Sequence, residues 1–368
     1  MKVVQLLPSL AVGGLERFAV DLAIEQKRKG EQSILYCTRD AGPLADEARA
    51  AEIPVYTFGK RDGFSVRLIY QVAARLRLDR PDVLLAHNAL VLHYGIAAAK
   101  LAGIPAVVNI RHGGNLRWDP RCEWLWRQMV PRTRMVVFVS QSVRDYFVAR
   151  SGLSTINTRV IYNGIPVEKF SMCRAKPGAR LPQFRFGTVG RLAPAKDHVT
   201  LVRAFAQVGP HWPEAELHIL GDGPCRAEII QTAASLGMTN RVKLHSGTNV
   251  AAFLGELDLF VLSSLDEGLP IALQEAMAAG LPVVSTRLRG LTEIAPERKV
   301  AWYAPPAQPD ELAAVMYRVA RRSDLAEIGE NASRLAAAFS IENTWRSYRD
   351  LFSEILGSPA PHSSPCTA

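Results

Sequence analysis

Cysteine is scarce in this chain, and its spacing is uninformative. The five residues, Cys37, Cys122, Cys173, Cys225 and Cys366, are odd in number and include no Cys-x-x-Cys pair. That argues against both a disulfide framework and a thiolate zinc site, and it fits a reducing compartment. Long apolar runs are missing too. No charge-free stretch approaches the ~20 residues that a membrane-spanning helix needs, and VVFVSQSV is no longer than a strand. The early run VVQLLPSLAVGG is preceded by a single lysine, broken by Pro8 and followed by Glu16, so it reads as a first strand rather than the core of a signal peptide. The dinucleotide fingerprint G-x-G-x-x-G is also absent, which removes support from a nicotinamide-dependent dehydrogenase.

What is present in quantity is apolar residue, 48% of 368 positions, more than one compact core usually holds; two domains are expected. The net charge of +9 is unevenly shared. Residues 1–183 carry 27 Lys and Arg against 15 Asp and Glu, a net of +12, whereas residues 184–368 carry 17 against 20, a net of −3. A basic half joined to a nearly neutral one suggests an anionic partner for the first half, although arginines solvated on helix surfaces give the same count. The basic residues of KRDGFSVRLIYQVAARLRLDR and NLRWDPRCEWLWRQMVPRTR are interleaved with Trp118, Trp124, Trp126 and large aliphatics. That mixture suits an anionic membrane surface better than a nucleic-acid groove; tryptophans buried in an ordinary helix would look alike.

Apolar runs of four to eight residues alternate with segments of helical period, the pattern of βαβ units. The first half reads as strand KVVQLLP, helix LERFAVDLAIEQKRKG, then strands SILYCT, VLLAH, AVVNIR and MVVFVS. After SMCRAKPGARLPQ, a linker by its proline and glycine, a second set runs from FRFGTVG through ELHILG, VKLHS and LFVLSS to PVVST. The fold class is therefore α/β, two tandem doubly wound Rossmann-like domains facing a cleft. The expected boundaries are 1–175 and 184–340, followed by a helix over 341–356 that returns to the first domain and a disordered tail over 357–368.

Ligands of open parallel sheets bind beyond the carboxyl ends of the strands, so the loops there hold the candidate residues. Gly13 and Gly14 follow the first strand and open a helix, where bare backbone amides can approach a phosphate; a tight turn uses the same pair. Arg191 and Lys196, in GTVGRLAPAKDH, can clamp a diphosphate or simply be surface charges. In SSLDEGLPIALQEAMAAG, Glu267 lies on a loop, Pro270 in a first helical turn and Glu275 within the helix, where a glutamate also serves as a plain helix former.

Taken as an ordered set, the glycine pair, GRL…K, VIYNGIPVEKF, AELHILGDGP and the E-x7-E element EGLPIALQEAMAAGLPVV resemble the retaining nucleotide-sugar glycosyltransferases of family 4, with the two-domain GT-B fold. The resemblance spans residues 1 to about 356. It implies that Glu267, with the amides of Gly268 and Leu269, meets the donor sugar and diphosphate, and that Glu275 binds the ribose hydroxyls. It implies that Arg191 and Lys196 neutralise the diphosphate, and no Asp-x-Asp motif is present to hold a metal. His112 matches a histidine that contacts the donor sugar, and His87 is a candidate on the acceptor side; a structural histidine is the alternative for each. The chain departs from the family after VVST, where one glycine, Gly290, replaces a pair, with Glu293 close behind. The expected protein is a cytoplasmic, membrane-peripheral hexosyltransferase that needs neither metal nor cofactor and engages no nucleic acid. It uses a nucleotide sugar, most commonly a UDP-sugar, and a carbohydrate or lipid-linked acceptor. Two other readings stay open: an epimerase of the same architecture, and a nucleotide-sugar-binding subunit without turnover.

Overall fold

A computed structural model describes residues 1–113, 120–151, 158–175, 183–247 and 249–357. The tail from 358 onward, Trp118, Thr248 and most of the linker lie outside the described residues. The chain opens β1 (Lys2–Leu7), α1 (Gly14–Arg28), β2 (Gln32–Cys37), α2 (Leu44–Ala50), β3 (Val55–Thr57), α3 (Val66–Asp79) and β4 (Val83–His87). It continues α4 (Ala89–Ala102), β5 (Ala106–Arg111), α5 (Pro120–Met129), β6 (Met135–Phe138), α6 (Gln141–Ser151), β7 (Thr158–Val160) and α7 (Val167–Ser171). The second set is β8 (Arg185–Val189), α8 (His198–Val208), β9 (Glu216–Leu220), α9 (Arg226–Ser235), β10 (Val242–His245), α10 (Val250–Gly255) and β11 (Leu259–Leu262). Then come α11 (Ile271–Ala278), β12 (Val283–Thr286), α12 (Leu291–Ile294), β13 (Ala301–Ala304), α13 (Pro309–Ala320), α14 (Leu325–Ala336) and α15 (Ile341–Leu356).

The strands form two parallel sheets, ordered β3-β2-β1-β4-β5-β6-β7 and β10-β9-β8-β11-β12-β13. Central strands such as β4, β5, β11 and β12 are buried at every position, as sheets covered on both faces require. Each order reverses once, between β1 and β4 in the first sheet and between β8 and β11 in the second. Those switch points open crevices at the carboxyl ends of the strands. The loops after β1, β8 and β11 carry the glycine pair, the Arg191–Lys196 segment and Glu267, and His87 ends β4, so sheet topology gathers these candidates.

Helix α15 packs on α1 of the first sheet. Ser340 caps it by accepting from the Asn343 amide, and Trp345 Nε1 donates to Glu31 at 2.9 Å while Lys29 and Glu342 pair at 2.6 Å. Where the chain passes between the sheets it does so twice, and the two passages pair: Ile165 N–H donates to Phe339 O at 3.0 Å and Ile341 N–H to Ile165 O at 2.8 Å. Helix α7 already sits against α10 and α11, so packing changes hands near Ile165, one helix before the expected boundary at 175.

The basic and tryptophan-rich segments of the first domain do not form one uniform surface. Lys60 and Arg61 precede α3 in a loop, and Arg75 is engaged by Asp79 at 2.7 Å and lies over the Tyr56 ring. Trp126 is no surface anchor: it is buried, and its Nε1 donates to Asn109 Oδ1 at 2.8 Å. Only Trp124 of the described tryptophans in that segment is exposed, at 63%.

Candidate active site

The second domain supplies one wall of the site. Ser263 Oγ donates to Lys196 O at 2.9 Å and Leu265 N–H to Ala195 O at 2.8 Å, so the loops after β8 and β11 are stitched together. On that frame the Lys196 ammonium pairs with the Glu267 carboxylate, which also accepts from Ser264 Oγ at 2.7 Å. Ser264 is held in turn, since Thr286 Oγ1 donates to its carbonyl at 2.6 Å. The GRL loop is fixed on its other side, where Gly190 N–H donates to Leu220 O at 3.0 Å and Leu192 N–H to Asp222 O at 2.9 Å. Any side chain at Gly221 (φ +159°) would overlap the Gly190 carbonyl. Arg191 stays exposed.

Gly268 follows Glu267 and is buried, as are Leu269 and Pro270. A β-carbon at Gly268 would overlap the carbonyl of His112 in the first domain, and one at Gly113 would come within 3.2 Å of the Gly268 backbone. The two domains therefore meet backbone to backbone at this point, and only glycine allows it. Helix α11 begins just beyond, with Pro270 at its N-cap, and a β-carbon at Gly14 of α1 would touch Ile271 at 3.6 Å.

Glu275, in the second turn of α11, is 7% exposed, and no hydrogen-bond donor reaches its carboxyl among the described residues. Burial pushes its pKa up to about 7, Asp21 of α1 adds to the shift, and Arg17 and Lys169 oppose it. A buried carboxyl without a donor is costly and marks a place where a ligand can supply one. Asp21 itself is pushed up to about 6 by burial despite its pairing with Arg17 at 2.7 Å.

The first domain contributes a histidine chain. Gln5 Nε2 donates to Ala19 O at 3.1 Å, which leaves its Oε1 to accept from His87 Nε2 at 2.9 Å. His87 Nδ1 must then accept from His112 Nε2 at 2.9 Å, and His112 Nδ1 faces the Asn163 amide at a long 3.4 Å. The rings stack at 5.1 Å, and Phe18 meets His112 edge-on at 5.5 Å. Burial lowers both pKa values, that of His87 to about 3, and for His112 the neighbouring His87 and Arg111 add to the fall. Both imidazoles are neutral near pH 7. His87 is fully buried and meets His112 through its Nδ1, which corrects its expected direct place on the acceptor side.

Four residues join the site without having been assigned to it from sequence. Asn88 holds an unusual φ of +63°, and its side chain accepts from the His112 amide at 3.1 Å. Asn163, in the quoted VIYNGIPVEKF, has its carbonyl bonded by Gln274 of α11 at 2.7 Å. Glu16 folds its carboxyl over Gly13; burial raises its pKa while Arg191 across the cleft opposes the rise. Glu293 crosses between the domains. A cavity of about 510 Å³, lined in part by Arg298, Lys299, Arg322 and Arg334, opens before β13, at the opposite end of the second sheet, and shares no residue with this site.

Two family models match the chain in tandem. Residues 12–169 match Glycosyltransferase Family 4, and residues 183–322 match Glycosyl transferases group 1. The chain is a family 4 glycosyltransferase of the GT-B type. Among its relatives is the UDP-Gal:alpha-D-GlcNAc-diphosphoundecaprenol alpha-1,3-galactosyltransferase of Escherichia coli, 25% identical over 308 residues that span 78% of this chain and 79% of the relative. Another is the amylovoran biosynthesis glycosyltransferase AmsK of Erwinia amylovora, 31% identical over 255 residues, 64% of this chain and 62% of the relative. The solved structure of Anabaena Alr3699/HepE in complex with UDP-glucose superposes with a TM-score of 0.85 at 23% identity, covering 96% of this chain and all of that one. Sucrose-phosphate synthase of Thermosynechococcus elongatus shares the fold at a TM-score of 0.79 and 16% identity, over 97% of this glycosyltransferase and 100% of the synthase.

Proposed function

We propose that this glycosyltransferase moves a hexose from a UDP-sugar to a lipid-linked or polysaccharide acceptor with retention of configuration. The observation that carries the reading is the Lys196–Glu267 pair beside Gly268, at the point where the second domain meets His112 of the first. The relatives named above, one acting on a diphosphoundecaprenol-linked sugar, support this acceptor class. In this reading Glu275 takes the ribose hydroxyls, Glu267 the hexose hydroxyls, and the neutral His112 offers Nδ1, held only at 3.4 Å, to a sugar hydroxyl.

The bond from the anomeric carbon to the diphosphate oxygen breaks as the acceptor oxygen bonds the same carbon from the same face. The acceptor proton passes to the departing phosphate, so no protein nucleophile is required. Arg191 and Lys196 face the negative charge that grows on the leaving group, which favours the transition state over the bound donor. Turnover is therefore expected to survive a chelator. A mass-spectrometric assay with a panel of nucleotide sugars and a lipid-diphosphate saccharide tests the whole reading. Sugar transfer supports it, an epimerised donor without acceptor overturns it, and loss of turnover in EDTA restored by added metal overturns the cation assignment.

No helix among the described residues is long and apolar enough to cross a membrane. A peripheral approach of the first domain is supported by α3 and the loop before it, where Phe64 (68% exposed), Val66 and Tyr70 lie among Lys60, Arg61, Arg67 and Arg77. Each such cation near an anionic surface contributes about 1 kcal/mol. Binding to anionic liposomes in a sedimentation assay is expected at low salt and should fall steeply as salt is raised. Indifference to those liposomes at low salt would remove the membrane from the proposal.

A further inference from the structure

Helix α6 starts with backbone N–H groups that its own turns cannot satisfy. Ser140 caps one of them from within the first domain, accepting from Val143 N–H at 3.2 Å. The two before it turn to the second domain. Gln141 N–H donates to Glu293 Oε2 at 2.9 Å, and Ser142 N–H donates to Glu293 Oε1 at 2.7 Å. The Ser142 hydroxyl donates to the same carboxylate, as does the Tyr162 hydroxyl at 3.0 Å. A negative side chain at the positive end of a helix is favourable electrostatics, and charged acceptors make the stronger hydrogen bonds.

The grip does not rest on Glu293 alone. Four residues earlier, the Arg289 guanidinium lies 4.4 Å over the Tyr146 ring of the same helix. Between them Gly290 adopts φ +80°, and a β-carbon there would come within 2.9 Å of the Gly268 carbonyl and 3.0 Å of Ser140 Oγ. The Gly268 loop, Gly290 and the start of α6 are thus stacked in contact, with Glu293 bonded at the far side of the stack.

We propose that Glu293 is a positioning residue: by docking on the first turn of α6 it sets the approach of the two domains and so holds the Gly268 loop against His112 and Gly113. The inference rests on the reading of that meeting point as the sugar end of the site. The nucleotide end, with Glu275 and Arg191, is built on the second domain and does not depend on α6. Loss of Glu293 therefore impairs turnover and spares nucleotide binding.

The test uses the full chain. Glu293→Ala is expected to lower kcat by ~10- to 100-fold, the cost of misplacing reacting groups by about 1 Å, while the Kd for UDP changes less than about threefold. Amide exchange at Gln141 and Ser142 should rise at the same time, a signal independent of activity. Tyr162→Phe and Arg289→Ala, which each remove one contact and leave the carboxylate in place, should lower kcat several-fold and keep the proposal testable if the first variant does not fold. Unchanged kcat and unchanged exchange overturn it. A parallel loss of UDP affinity also overturns it, because Glu293 would then belong to the nucleotide pocket. Failure of Glu275→Gln to weaken UDP binding would instead count against the proposed function and leave the exchange result standing.

Discussion

Lys196→Ala is expected to reduce kcat by about 10²-fold or more, the scale of removing one electrostatic stabiliser of a developing charge. Two losses combine. The ammonium proposed to face the leaving diphosphate disappears, and the Glu267 carboxylate, whose side chain is only 12% exposed, loses its partner. A carboxylate left unpaired beside a departing anion opposes the charge build-up that the lysine favoured. Substitution by arginine is not a neutral control, since a planar guanidinium differs in shape and hydration from the compact ammonium that pairs with Glu267. Single-turnover measurements with saturating donor separate this effect from binding; a loss below about threefold would remove Lys196 from the chemistry.

Glu275→Gln is expected to weaken UDP-sugar binding by ~10- to 100-fold above pH 7, the worth of charged hydrogen bonds to two hydroxyls. It should also abolish the pH dependence expected of the parent protein. The parent's carboxyl is held near pKa 7 by burial, so below that value it carries a proton and can accept less well from vicinal hydroxyls. Affinity should therefore rise with pH up to about 7, by at most about tenfold per unit, and level off above it. The intact nucleotide sugar is the better titrant than UDP, whose terminal phosphate changes charge in the same range. His112 does not compete as the source of this profile, because burial and His87 keep it neutral throughout. Calorimetry across pH 5.5–8.5 on both proteins decides the matter; a pH profile that survives the substitution would assign the titration elsewhere.

The parts of the site that were legible in the sequence are those whose chemistry is local. A glycine pair, a GRL…K loop and an E-x7-E element each carry their spacing within a dozen residues, and strand polarity then brings them to one end of two sheets. His87 was misplaced because its surroundings come from afar: Gln5 lies 82 positions away and His112 25. Glu293 and α6 are separated by about 150 residues, and neither end announces the other. The tryptophan segment was ambiguous for a different reason. Trp124 and Trp126 lie two positions apart on one helix, so they point to different sides, and only the fold decides which one is buried. The edge strands β3 and β7 escaped notice because three residues each, half-buried but for the exposed Thr57, leave little apolar signal.

The paired passages at Ile165 and Phe339–Ile341 make the second domain an insertion, entered and left through one doorway, with α15 belonging by contact to the domain where the chain began. Exchange of donor preference between relatives should therefore succeed as a cassette running from just after Ile165 to just before Ser340. A fusion made by simply trading carboxyl-terminal halves would give the first domain a foreign α15, strip the seat of Trp345 and Lys29, and set mismatched surfaces on α1 before any sugar is bound.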